Sequence, residues 1–198
     1  MFTEMKKATR RYVLRARGEQ MAETRARIVE AIMQLHQEVG PSHATVSAVA
    51  ERAGVERLTV YRHFHDDTAM LAACSHRYFE LNPLPDPSAW AGELDPARRA
   101  RRGLRELYAF FGRTASMFEK VYRDAGVSEP VKNAVTQFDA HLGNLADGLA
   151  TAWPRDKSAP RRRVILRHAT KFATWQSLEA DGVDNKQKVE LLLAWLSV

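Results

Sequence analysis

The chain contains a single cysteine, Cys74, so no internal disulfide can form. It reads as a small core residue in a reducing compartment, and a cytoplasmic location is expected. No apolar run reaches the roughly 18 residues needed to span a bilayer, so no membrane partner is expected. The basic N-terminus is not followed by an apolar stretch, which argues against a secretory signal. Sustained two-residue alternation is lacking, so no strand is predicted, and there are no internal repeats. Enzyme signatures are missing too: there is no GxSxG, P-loop, HExxH or GxGxxG. His63 and His65 stand two apart at a helix end and diverge rather than converge on a metal. The Asp66–Asp67 pair reads more simply as helix caps than as an acid–base pair. No catalytic residue, metal or cofactor is therefore expected.

What is present suits a folded, helical, basic protein. The chain has 198 residues, 45% of them apolar and 27% charged. That is enough to bury a core in one large or two small domains. The net charge of +6 is concentrated at one end. Residues 1–27 carry eight Lys or Arg against three acids, a net +5. Such asymmetry points to a polyanionic partner, although a solvated tail has the same composition. Residues 1–20 are expected to form a basic arm, with helix or coil left open over Lys6–Arg17. Lys6, Lys7, Arg10 and Arg11 are its candidate DNA contacts, by the logic of flexible arms on phosphates or in a minor groove.

The chain is organised around Thr45–Phe64, TVSAVAERAGVERLTVYRHF. Thr45 is a good N-cap. Val46, Val49, Ala50 and Ala53 then make one small apolar helical face. Gly54 follows that face, where a left-handed turn is needed, and Val55 fills the angle. A second helix is predicted from Glu56 or Arg57 to Phe64. Leu58, Val60, Tyr61 and Phe64 are to be divided between core and outer face, while Arg57, Thr59, Arg62 and His63 lie outside. This is a helix-turn-helix pattern, whose second helix would lie in a major groove. The candidate DNA-binding residues are Thr45, Ser47, Arg57, Leu58, Thr59, Tyr61, Arg62 and His63. Tyr61 and His63 are expected to donate to phosphates.

The literal string carries more than the pattern does. AxxAGV at Ala50–Val55, TVYRHF at Thr59–Phe64, an acidic–polar pair at Asp67–Thr68 and Met70–Leu71 resemble the TetR family of bacterial transcriptional repressors. The resemblance covers Arg25–Leu71. Two positions depart from that family's pattern. Leu58 stands where a small residue is usual, and its side chain can meet a thymine methyl or shift the docking of the helix. Asp67 stands where a phosphate-touching lysine is frequent, a loss that Arg57 and Arg62 can offset.

Downstream, helices are predicted from periodicity and breakers. Helix 1 spans Glu23–Val39 with Ile28, Ile32, Leu35 and Val39 inward, and Gly40–Pro41 ends it. A helix after His65, capped by Asp66 or Asp67, ends at Asn82–Pro83. The proline-rich stretch 82–96 is the expected domain boundary, with a short helix carrying Trp90. Further helices are expected over Pro96–Thr114, Ser116–Asp124, Ser128–Trp153, Pro160–Glu179 and from Asp184 onward. Asp184 and Gln187 form a capping-box pair.

The expected organisation is all-α. A basic arm covers 1–20. A three-helix helix-turn-helix domain with its linking helix covers 21–81, and an effector-binding and dimerisation domain covers 82–198. Tyr108, Phe111, Phe118, Tyr122, Phe138, His141, His168, Phe172 and Trp175 read first as core. Collectively they also suit a cavity for a small apolar or aromatic effector with one polar end, and the resemblance implies such a cavity. A homodimer is expected, with Ile165, Phe172, Leu192 and Leu196 partly buried between subunits. The resulting reading is a non-enzymatic, sequence-specific regulator. It would bind a pseudo-palindromic double-stranded DNA operator and, by resemblance, repress until an effector releases it. The alternatives are a nonspecific architectural DNA-binding protein and a helical ligand-binding protein with a vestigial helix-turn-helix.

Overall fold

The computed structural model describes residues 2–197, and within them the side chains of residues 15–196. Among the described residues the secondary structure is helical and no strand occurs. The chain divides into two compact units, one up to Tyr78 and the other from Phe79 onward.

The first unit opens with α1, Phe2–Glu38, one continuous helix of 37 residues. It therefore begins well before Glu23, and the backbone of the expected arm is helical. No glycine–proline break precedes Gly40, and a single Gly18 costs a helix only about 1 kcal/mol. The side chains of Lys6, Lys7, Arg10 and Arg11 lie outside the described residues. From Ile28 onward α1 buries Ile28, Val29, Ile32, Met33 and Leu35, whereas Val39, expected on the same stripe, lies past the helix end and is 41% exposed. Gly40 at φ 99° then leads into a 3-10 turn, Pro41–His43. Helices α2 (Val46–Ala53) and α3 (Arg57–His63) follow. Helix α4, Asp67–Leu81, is capped by Asp66, whose carboxylate accepts from the Ala69 amide at 2.7 Å. Cys74 is buried in α4, and burial pushes its thiol up to about 12. It is an inert core residue at neutral pH.

The division at Tyr78/Phe79 falls inside α4, a few residues before the expected boundary. The reason is Phe79. Its ring stacks on Phe138 at 6.1 Å and on Phe110 at 6.5 Å, within the second unit. Beyond it, Asp86 holds the amide and hydroxyl of Ser88 at the head of α5, Ser88–Ala91. That short helix buries Trp90.

Helix α6, Pro96–Asp124, is capped by Asp95 and runs unbroken for 29 residues. Two helices were expected here. Nothing between Thr114 and Ser116 breaks the backbone, and the Thr114 hydroxyl bonds back to the Phe110 carbonyl at 2.8 Å. Helix α7, Glu129–Ala150, buries Val131, Leu142, Leu145 and Leu149 along one face. Ser128 precedes it, but its side chain makes no capping bond.

The single helix expected over 160–179 is two: α8, Ala159–Ala169, and α9, Phe172–Ala180. Lys171 between them is extended (φ −71°, ψ 139°). Threonines satisfy the freed carbonyls: the Thr174 hydroxyl donates to His168 O at 2.7 Å. Helix α10, Asn185–Ser197, starts from the predicted box. Gln187 N donates to Asp184 Oδ1 at 2.8 Å, and Asp184 N to Gln187 Oε1 at 3.3 Å.

Two residues expected between subunits belong instead to this unit's own core: Phe172 and Leu192 are each 1% exposed. The large apolar side chains that α8 and α10 leave exposed are Val164, Leu191 and Trp195. Among the described residues, no helix is long and apolar enough to cross a membrane.

Candidate nucleic-acid interface

The turn between α2 and α3 is fixed by three local features. The Thr45 hydroxyl accepts from the Ala48 amide at 3.2 Å and caps α2. Gly54 sits at φ 64°, in the left-handed region that side chains avoid. Its amide bonds back to Glu51 O, and the Val55 amide reaches Ala50 O at 3.0 Å. This paired pattern satisfies the last carbonyls of α2 and turns the chain sharply. Arg52 of α2 also meets Glu38, the last residue of α1, at 2.5 Å.

Helix α3 then sorts its side chains cleanly. Val60 is fully buried, and Phe64 just after the helix is 2% exposed. The Arg25 guanidinium of α1 lies 4.9 Å above the Phe64 ring, an attraction between cation and ring face that fixes the end of α3. Facing outward are Arg57, Leu58, Tyr61 and Arg62. Leu58 is 56% exposed and Tyr61 48%. Thr59 and His63 are half-buried beside them, and Thr45 and Ser47 are exposed at the start of α2. Arg57 and Arg62 have no ion-pair partner among the described residues, so their charge is uncompensated. A short helix with two unpaired guanidiniums, a hydroxyl-bearing ring and one apolar side chain matches a grooved, anionic surface. Asp67 lies exposed at the first turn of α4, so no cation occupies that position.

The structure thus brings the eight candidate DNA-binding residues onto α2 and α3. Sequence reasoning missed the Arg25–Phe64 contact and the Arg52–Glu38 pin. Neither has a sequence signal, because each depends on how α1 lies across the other two helices.

The second set of candidates divides. Tyr108, Phe111, Phe118, Phe172 and Trp175 are buried. Their rings pack on one another and on half-buried Phe138 and Tyr122. Phe118 meets Phe138 at 4.7 Å, Phe172 meets Tyr122 at 5.2 Å, and Phe172 meets Trp175 at 5.6 Å. The polar atoms of these rings are already satisfied. Tyr108 donates to the Ala169 carbonyl at 2.8 Å, and Tyr122 donates to Asp139 at 2.5 Å. Burial and the Asp139 carboxylate push the Tyr122 hydroxyl well above its ordinary range. His141 and His168 are exposed and take part in none of these ring contacts. The two imidazoles expected as polar anchors therefore stand outside the cluster. Helical spacing could not show this, because both residues sit at the edge of an apolar stripe. A fully buried Lys188 was also missed. It pairs with Glu179 and lies 5.3 Å over the Trp175 ring, whose Nε1 donates to Asn185.

Comparison with known proteins agrees with this layout. The sequence pattern described as "Bacterial regulatory proteins, tetR family" matches residues 28–74, the span of the helix-turn-helix. The resemblance to this family is carried by residues 28–74, about a quarter of the chain. A curated relative, "Probable HTH-type transcriptional regulator ArpR" of Pseudomonas putida, is 31% identical over 97 residues. That match spans 48% of this chain and 46% of the relative, about half of each. The fold resembles a TetR-like transcriptional regulator from Rhodococcus sp. RHA1, with TM-score 0.62 and 17% identity over 88% of this chain and 93% of that one. It also resembles NalD, the secondary repressor of the MexAB-OprM multidrug efflux pump in Pseudomonas aeruginosa. There the TM-score is 0.59 and the identity 21%, over 90% of this chain and 96% of that one. At such identities the likeness concerns the fold.

Proposed function

We propose that this protein is a TetR-type, sequence-specific DNA-binding transcriptional regulator that acts as a homodimer and is released from its operator by a small molecule. The observation that carries the reading is the outward face of α3. It holds Arg57 and Arg62 without ion-pair partners among the described residues and leaves Leu58 and Tyr61 exposed.

Tyr61 and His63 position the helix on phosphates, while Leu58 and Thr59 meet base edges. Leu58 is suited to a thymine methyl. The dimer face is assigned to Val164, Leu191 and Trp195 on α8 and α10, which are neighbours in the fold. Two reading heads must then span about one turn of DNA, roughly 34–36 Å. A ligand that changes their separation prevents simultaneous docking. Repression is proposed over activation on the resemblance of residues 28–74 to the TetR family. The unpaired cations of α3 also allow an architectural role, in which DNA is coated without sequence preference. Footprinting on a promoter library separates the two. A regulator protects a short inverted repeat; uniform protection along all fragments would support the coating protein instead.

A further inference from the structure

The second unit contains an open cavity of about 320 Å³ where α7 ends and α8 begins. Its size falls at the lower edge of small-molecule sites. Trp153 and Pro154 supply apolar walls, and Arg155, Arg162, Arg163 and Asp147 supply the charge. This corner is separate from the aromatic cluster discussed above, and no role assigned so far uses it.

Arg162 is the unusual member. It is 9% exposed, a degree of burial that arginine reaches only when paired. Its Nη2 donates to the Pro154 carbonyl at 2.8 Å and to Asp156 at 2.6 Å. Its Nε is buried with no partner. Closing the 151–158 loop engages only Nη2, on Pro154 O and on Asp156. A buried guanidinium with an idle N–H is more than that task requires. Arg155 beside it is exposed and has no ion-pair partner among the described residues. The Asp147 carboxylate lies elsewhere in its interactions: it is gripped by Arg163 and Arg167, each through two bonds of 2.7–2.9 Å. The lining therefore keeps an excess of positive charge next to a flat indole.

We infer that this cavity binds an organic anion, a carboxylate or phosphate held by Arg155 and Arg162, with a flat apolar body against Trp153. Planar guanidinium forks match both oxyanions, and Trp153 offers the face that an aromatic or flat aliphatic group needs. The inference stands on the cavity alone and does not depend on what α3 reads.

The test is calorimetric titration of the full chain, without DNA, using benzoate, phenyl phosphate and neutral benzyl alcohol as probes. The expected result is one-to-one binding of benzoate or phenyl phosphate, at least about ten-fold tighter than benzyl alcohol. Arg155→Gln should weaken the anion about ten-fold at an unchanged melting temperature, since this side chain is exposed and has no ion-pair partner among the described residues. Trp153→Ala should weaken it as well. Arg162→Gln should abolish it, and if that variant does not fold, Arg155→Gln alone decides. Absence of anion binding, equal binding of benzyl alcohol, or an Arg155→Gln variant with wild-type affinity overturns the inference. Because no DNA is present, any of these outcomes leaves the regulator reading untouched.

Discussion

The reading head and the body solve the same packing problem with different residues. In the head, α2 and α3 bury Val49, Ala50, Ala53 and Val60, all small, and a glycine sets the angle between the helices. In the body, α6 alone buries Leu104, Leu107, Tyr108, Phe110, Phe111 and Phe118. Small residues let two short helices approach closely, and every long side chain of α3 apart from the buried anchors is left for the exterior. Large rings instead fill the body from within. The head is thus built to present side chains, and the body is built to consume them.

That difference can be strained first where it is largest. Phe111 is fully buried and contacts the rings of Tyr108, Phe110, Phe118, Phe172 and Trp175. Phe111→Ala should cost about 3–5 kcal/mol in denaturant unfolding, the usual price of an aromatic-sized cavity. A loss below about 1 kcal/mol would mean that the body is loosely packed and the contrast with the head is false.

In the head the corresponding weak point is a backbone angle. A Cβ on Gly54 would meet nothing within 4 Å, so Gly54→Ala isolates the cost of its φ of 64°. The expected loss is about 1–2 kcal/mol, from conformation alone. Equal stability of the variant would show that the turn is not strained and that α3 is held by its packing.

These two sites also explain what could be read in the sequence. The head was legible because its determinants are local. Thr45, Gly54 and Asp66 act within four residues of themselves, whereas the inward turn of Val60 and Phe64 was left open by the sequence. The body was legible only as apolar stripes. Whether α6 is one helix or two depends on Thr114 bonding to its own helix. Whether 160–179 breaks depends on Thr170 and Thr174, which have no breaker's reputation. The failure of His141 and His168 to join the rings is a matter of which side of each stripe faces inward, and so is the burial of Phe172 and Leu192 within the protomer. Spacing alone does not specify that side.

A smaller effect separates the surface of the body from its core. Hydrogen bonds from Arg163 and then Arg167 hold the Asp147 carboxyl well below its ordinary value of 3.8. A depressed carboxyl stabilises the fold above its ordinary value, and that contribution is lost as pH falls through the lowered one. The stability gap between wild type and Asp147→Asn should therefore be constant near neutrality and shrink below about pH 4. Urea unfolding across that range measures it. A gap that stays the same down to about pH 2 would mean that Asp147 contributes through packing rather than charge.

The central proposal is that the exterior of α3 reads each half-site while the body sets the spacing of the two heads. Selection from a random duplex library, run in parallel with wild type and an Arg57→Ala/Leu58→Ala double variant, tests this most directly. Both side chains are exposed, so the variant should keep the wild-type melting temperature to within the scatter of a surface change, about 0.5 kcal/mol. Wild type should enrich an inverted repeat with half-sites about one helical turn apart. The variant should lose preference at the contacted bases of each half-site, each worth about 1–3 kcal/mol. Enrichment of the same repeat with the same strength by both proteins, or of no repeat by wild type, would contradict the account.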